Sequence, residues 1–144
     1  EQRFHGKISD DSLPYEIKIF GGVDRIELRN NTIRIIDYKT GKVESKNLLL
    51  NDFTKLTLDT KYEKIIQLLC YILMFESVEE YKNYPIEAGI ISFKNMKSGF
   101  MPFALDKKQV DNSVNKEILE DFKSSLISLI QEILNPEIPF IEKI

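Results

Sequence analysis

Residues 21–43, GGVDRIELRNNTIRIIDYKTGKV, contain the feature that most constrains the fold: two strand-like segments joined by Asn30 and Asn31. The segments VDRIEL and TIRIIDYK are rich in β-branched residues, which is typical of strands. Asparagine tolerates positive φ, and an Asn-Asn pair suits the two central positions of a type I′ turn. The stretch therefore predicts a β-hairpin with a two-residue turn.

A two-residue turn fixes which residues face each other across the hairpin. The predicted pairs are Arg29–Thr32, Leu28–Ile33, Glu27–Arg34, Ile26–Ile35 and Asp24–Asp37. Aliphatic and opposite-charge pairs stabilise a sheet, but two directly opposed carboxylates, ~5 Å apart at Cβ, repel by roughly 3 kcal/mol. Lys39 projects from the same face as Asp37 because strand side chains alternate. The register thus predicts two acids and an ammonium close together.

A cation between Asp24 and Asp37 would offset this repulsion. Carboxylate oxygens are the ligands that Mg²⁺, Mn²⁺ and Ca²⁺ prefer. The alternative is a different turn and register, in which the acids are solvated or one of them is protonated. The residues alone leave both interpretations open, although aspartate is disfavoured in strands.

The rest of the chain predicts an α/β fold with a mixed β-sheet flanked by helices. The segments RFHGKI and YEIKIF predict strands, and the Gly21–Gly22 pair predicts a break or a β-bulge, or a close approach by substrate. Residues 44–60 predict a polar loop with a short strand at 48–50, and residues 61–80 predict a buried helix. A strand, a turn at 97–99, a second strand and an amphipathic helix over 113–134 follow.

Length, charge and cysteine usage narrow the class of protein. A chain of 144 residues predicts a single domain spanning 1–144, and its start at Glu1 suggests a fragment of a longer protein. The net charge of −3 lacks the basic footprint of most nucleic-acid-binding proteins, so a polyanion would have to be held locally. The lone Cys70 cannot form an internal disulfide, and no apolar run predicts a membrane span, which favours a cytoplasmic protein.

Three segments in order, GGVDRIE, IRIIDYKTGK and QLLCY, resemble the motifs of a known family. The RecB-like nuclease domains of the PD-(D/E)XK superfamily carry GxxDRxD, hydrophobic-DYKTG and QxxxY in this order. The resemblance implies a restriction-endonuclease-like core and divalent-metal chemistry with Mg²⁺ or Mn²⁺. Family members usually also have a preceding helix whose histidine or glutamate completes the metal shell, and that helix is not part of this sequence.

The resemblance also implies roles for individual residues. Asp24 and Asp37 match the metal-binding acids, with the main-chain carbonyl of Tyr38 as a further ligand, and Lys39 matches the lysine that positions the attacking water. Gln67 and Tyr71 match the helix motif that flanks the site.

For two of these positions the residues alone permit plainer roles. Gln67 and Tyr71 lie four residues apart on one helix face, where they are alternatively an amide and a phenol paired within the core. His5 is interpreted as structural or as a surface residue.

The predicted function is a Mg²⁺-dependent deoxyribonuclease that acts in DNA repair or recombination. Its predicted partners are DNA and a helicase domain or subunit, with Arg25, Lys42 and Lys46 as candidates for holding the DNA backbone. The alternative is a catalytically inactive nuclease-like module that binds DNA or a helicase.

Overall fold

The computed structural model describes residues 1–106, 109 and 111–142. The predicted end of the domain at residues 143–144 lies outside this part of the chain. The helices and longer strands described are, in order, β1 (Gln2–Ile8), β2 (Ile17–Val23), β3 (Arg25–Arg29), β4 (Thr32–Lys39), β5 (Leu49–Leu50), α1 (Glu63–Phe75), β6 (Ile86–Ser92), β7 (Met101–Pro102), β8 (Ala104–Leu105) and α2 (Lys116–Leu134).

The central sheet is mixed. Its described strands run in the order β3-β4-β6-β7, with β4 and β6 parallel and the other two neighbouring pairs antiparallel. Strands β1 and β2 form an antiparallel pair, and the short strands β5 and β8 pair in parallel. This arrangement with α1 and α2 confirms the predicted α/β class.

The hairpin forms as predicted around its two asparagines. Asn30 and Asn31 both have positive φ, 49° and 63°. The paired residues are Arg29–Thr32, Leu28–Ile33, Glu27–Arg34, Ile26–Ile35 and Arg25–Ile36. The ladder ends there, so Asp24 is not a strand partner of Asp37 and occupies a bend between β2 and β3 instead. The predicted register is correct, but the Asp24–Asp37 pair is not part of the ladder.

The Gly21–Gly22 pair lies within β2 and does not break it. Both glycines pair in unbroken register with β1, opposite Phe4 and Arg3, so the predicted break or bulge is wrong. A Cβ built on Gly21 would lie 3.1 Å from Met74 Cε and 3.2 Å from a ring carbon of Tyr71. Gly21 therefore allows α1 to pack closely on β2.

Helix α1 is buried on almost every face, as predicted. Its buried residues are Ile65, Leu68, Leu69, Tyr71, Ile72, Leu73, Met74 and Phe75. The helix covers residues 63–75 and so ends five residues before the predicted end at residue 80. The Ser77 hydroxyl donates to the Met74 carbonyl (3.0 Å), which satisfies one of the last helical carbonyls.

Helix α2 ends at Leu134, as predicted, but begins at Lys116 and not at Ser113. The Asn115 side chain accepts a hydrogen bond from the Ile118 amide and caps the helix, while Ser113 belongs to a turn closed by Asp111. Buried residues of α2, among them Ile118 and Phe122, join those of α1 and the strands in a connected core.

The remaining segments differ from the predictions in detail. Residues 44–60 hold short 3₁₀ turns around β5, and the predicted last strand is divided into β7, which pairs with β6, and β8, which pairs with β5. Gly99, in the predicted turn, has φ 59°. Neither helix in the described part of the chain has the length and apolar content needed to cross a membrane.

Candidate active site

Strand β4 places Asp37 and Lys39 under helix α1. Side chains alternate along a strand, so Ile33, Ile35, Asp37 and Lys39 share one face. Ile33 and Ile35 are buried in the core, and Asp37 continues this face as a carboxylate only 4% exposed. A charge in such a position requires partners, because burial without them is costly.

Four side chains form a closed hydrogen-bonded and ion-paired set, here called the polar ring: Asp37, Lys39, Gln67 and Tyr71. Lys39 Nζ donates to Gln67 Oε1 (2.8 Å), and Gln67 Nε2 donates to the Tyr71 hydroxyl (2.8 Å). The Tyr71 hydroxyl donates to Asp37 Oδ1 (3.3 Å), and Lys39 Nζ lies 2.9 Å from Asp37 Oδ2. The structure therefore brings together four of the predicted site residues.

Asp37 Oδ2 is the least satisfied atom of the polar ring. It is buried and accepts no hydrogen bond from the described residues. The 2.9 Å contact with Lys39 Nζ is close enough for an ion pair, but its direction is not that of a hydrogen bond, so the attraction is mainly Coulombic. A buried carboxylate oxygen without a directed donor has coordination capacity left for a cation.

Asp24 approaches the same strand from the bend before β3. Its Oδ2 accepts a hydrogen bond from the Tyr38 amide (2.9 Å), the backbone group directly after Asp37. This bond holds the Asp24 carboxylate beside β4, although Asp24 is not paired in the β3–β4 ladder. The Tyr38 amide is thus engaged by Asp24, and the Tyr38 carbonyl stays a predicted ligand.

The negative charges of Asp37 and Asp24 both raise the pKa of Tyr71. Burial, followed by the charge on Asp37 and a smaller effect of Asp24, raises the pKa of the Tyr71 phenol to about 12. The phenol therefore keeps its proton at neutral pH and acts as a hydrogen-bond donor to Asp37.

Asp24 and Asp37 are the two acids that the sequence predicts as metal ligands. Among residues 1–106, 109 and 111–142, no three or more His, Cys, Asp and Glu side chains cluster in a way that would hold a metal. Any metal at this place would therefore have at most two carboxylate ligands among the described residues. Mg²⁺ is usually held by one or two carboxylates and retains several waters, so two acids suffice for this type of site.

The three cations expected to hold DNA lie outside the polar ring. Arg25 is exposed, with one guanidinium nitrogen 3.4 Å from the Tyr38 hydroxyl and another 3.3 Å from Glu27. Lys42 and Lys46 lie after β4 and both pair with Glu44, at 3.5 and 3.1 Å. His5 is an exposed residue of β1, as expected.

Two residues near the site were not anticipated from the sequence. Ser92, fully buried at the end of β6, donates to the Gly41 carbonyl (2.6 Å) and holds the segment after Lys39. The parallel pairing of β4 with β6, which places Ser92 beside Lys39, has no signal in the sequence. Lys64 lines a cleft with Lys39, and its spacing of three residues from Gln67 was the available signal.

The polar ring opens to solvent through a shallow cleft of about 340 Å³, lined by Lys39, Glu63, Lys64 and Gln67. A larger pocket of about 460 Å³ lies at the start of α2, and its lining includes Asp111, Glu117 and Asp121. Carboxylates repel a polyanion, so the smaller cleft beside Lys39 is the better entrance for a phosphate group.

Comparison with known proteins identifies the family. The sequence model of the PD-(D/E)XK nuclease superfamily matches residues 2–143. No match was found among curated proteins or among solved structures. The mixed sheet with two helices is consistent with the restriction-endonuclease-like fold of that superfamily. Because the match extends over almost the entire sequence, the chain belongs to the PD-(D/E)XK nuclease superfamily.

Proposed function

We propose that this protein is a metal-dependent deoxyribonuclease that hydrolyses phosphodiester bonds in DNA repair or recombination. The observation that carries the proposal is the polar ring, in which a buried Asp37 oxygen without a directed donor lies 2.9 Å from the Lys39 ammonium. A purely structural ion pair would be expected to satisfy both carboxylate oxygens. The superfamily of the chain supports nuclease chemistry.

Asp24, Asp37 and the Tyr38 carbonyl are the proposed ligands of Mg²⁺ or Mn²⁺. When bound, such an ion polarises the scissile phosphate and makes a water molecule more acidic. Asp24 is oriented by the Tyr38 amide, and Asp37 is oriented by the Tyr71 hydroxyl. Both acids are therefore held before any substrate arrives, which reduces the reorganisation that the reaction requires.

Lys39 is the proposed stabiliser of charge on the phosphate. Gln67 Oε1 accepts a hydrogen bond from Lys39 Nζ and keeps the ammonium at the edge of the cleft. From there the ammonium can orient the attacking water and attract the negative charge that develops on the phosphate oxygens in the transition state. Gln67 and Tyr71 act as positioning residues because their contacts are with Lys39 and Asp37.

DNA would be held by local cations, because the whole chain carries a net charge of −3. Arg25 follows Asp24 directly and is the best placed of the three cations predicted from the sequence. Lys42 and Lys46 have a weaker case, since both pair with Glu44. A helicase partner and a cytoplasmic location remain predictions from the sequence.

A cleavage assay tests the proposed activity. We expect Mg²⁺-dependent cleavage of single- or double-stranded DNA that falls by at least ~100-fold in Asp37→Ala and in Lys39→Ala, since each removes a group that stabilises the transition state. Lys55→Ala removes an exposed charge elsewhere and should cleave like wild type. Undiminished cleavage in both site variants would overturn the proposal.

A nuclease-like module without catalytic activity is the second candidate. The observation favouring it is that the described residues provide two acids and no group of three metal-binding side chains. Such a module would bind DNA or a helicase equally well with and without Mg²⁺, and Asp37→Asn would leave that binding unchanged.

A further inference from the structure

The cleft beside the polar ring has a second lysine. Lys64 lies on α1 three residues before Gln67, so both side chains project from the same helix face, with a rise of ~4.5 Å along the helix axis between them. Both line the cleft of about 340 Å³ together with Lys39. The cleft is therefore lined by one lysine from the strand and another from the helix.

Lys64 forms a weak ion pair with its neighbour Glu63. Its nearest acid in the described chain is Glu63, with Nζ and Oε1 3.8 Å apart and the Glu63 side chain 73% exposed. The Lys64 side chain is 31% exposed, and a partly exposed ion pair at this distance contributes little to stability. Lys39, by contrast, is held by Gln67 at 2.8 Å and by Asp37 at 2.9 Å. The Lys64 ammonium can therefore bind an anion in the cleft without breaking a strong ion pair.

We propose that Lys64 binds a backbone phosphate of the DNA strand adjacent to the scissile phosphate. This inference rests on the proposed nuclease function, in which Lys39 faces the scissile phosphate. Lys64 lies about one helix turn from Gln67, which holds Lys39, and lines the same cleft, so it is placed to contact the neighbouring phosphate of a bound strand. Lys64 is thus a binding residue that acts on affinity, and Glu63, which lines the cleft with the opposite charge, weakens binding of the same strand.

Two substitutions that each remove one charge, with opposite signs, separate this role from a structural one. Lys64→Gln removes a positive charge from the cleft, and Glu63→Gln removes a negative one. Affinity for a fluorescein-labelled single-stranded oligonucleotide is measured by anisotropy over a series of salt concentrations, with Ca²⁺ in place of Mg²⁺. We expect Lys64→Gln to weaken binding several-fold and to lower the salt slope by roughly 0.7, the value for one phosphate contact. Glu63→Gln should strengthen binding.

Further variants complete the test. Lys64→Arg should retain the wild-type salt slope, and Lys61→Gln, an equal charge loss at an exposed neighbouring position outside the cleft lining, should change affinity little. In cleavage assays Lys64→Gln should raise KM and leave kcat almost unchanged.

The outcomes that overturn the inference are distinct from those that overturn the nuclease function. An unchanged salt slope in Lys64→Gln, or weaker binding in both Lys64→Gln and Glu63→Gln, rejects the phosphate contact even if wild type cleaves DNA. A wild-type protein that neither binds the oligonucleotide nor cleaves DNA rejects both proposals.

Discussion

Tyr71 joins the two halves of the polar ring. Its hydroxyl accepts a hydrogen bond from Gln67, which holds Lys39, and donates one to Asp37. The pKa of the phenol, raised to about 12 by burial and by Asp37, keeps the donated proton in place at neutral pH. One oxygen atom therefore couples the position of the ammonium to that of the carboxylate.

Removing the Tyr71 hydroxyl should weaken the positioning of Asp37 and Gln67 but leave the carboxylates of the candidate site in place. We expect Tyr71→Phe to lower the free energy of unfolding by about 1–3 kcal/mol, because Gln67 Nε2 and Asp37 Oδ1 lose their shared partner. The Mg²⁺ concentration needed for half-maximal cleavage should rise about 10-fold, as for other losses of groups that orient metal ligands. Urea unfolding and a Mg²⁺ titration measure these effects, and Tyr15→Phe, at an exposed position, is the control. Wild-type values for both quantities would show that the polar ring does not orient Asp37.

At the scale of single residues, the sequence predicted which side chains come together better than it predicted their contacts. The Asn-Asn turn led to Asp24, Asp37 and Lys39 by counting alone. It could not show that Asp24 leaves the ladder to accept the Tyr38 amide, because this bend depends on how β2 continues into β3. The three-residue spacing of Lys64 from Gln67 was too weak a signal to single it out, since most lysines on a helix are simply solvated.

Among the elements, helix α1 is the one that assembles the site. It provides Gln67 and Tyr71, and it packs on β2 at Gly21, where a side chain would touch Tyr71. The hairpin was predictable because its turn and register are local in sequence. The role of Gly21 was not predictable, because it depends on contact with a helix some fifty residues further along the chain. A glycine pair by itself indicates a bend.

Gly21 should therefore tolerate a side chain poorly, even though it lies in an ordinary strand. We expect Gly21→Ala to lower the free energy of unfolding by about 1–3 kcal/mol, because the new Cβ would lie 3.1 Å from Met74 Cε and 3.2 Å from a Tyr71 ring carbon. Nuclease activity should fall as well, since Tyr71 must shift. A Cβ at Gly41 would meet nothing within 4 Å, so Gly41→Ala is the matched control. Equal stability of the two variants, measured by thermal unfolding, would reject this close packing.

In the whole molecule, the site exists only where three parts of the chain meet. The bend after β2 provides Asp24, β4 provides Asp37 and Lys39, and α1 provides the residues that hold them. The α/β class was predictable from the order of strands and helices. Two features were not predictable: the parallel pairing of β4 with β6, and the division into one larger and two smaller sheets. Pairing between distant strands leaves no local pattern in the sequence.

The central claim is that this meeting point binds a divalent cation. Isothermal titration calorimetry with Mn²⁺ tests it on the protein itself and needs no knowledge of the DNA substrate. We expect saturable binding to wild type and to Asp11→Asn, an exposed control, and its loss in Asp37→Asn, because the amide removes the anionic oxygen beside Lys39. Folded wild-type protein that shows no Mn²⁺ binding, or an Asp37→Asn variant that binds as wild type does, would contradict the account.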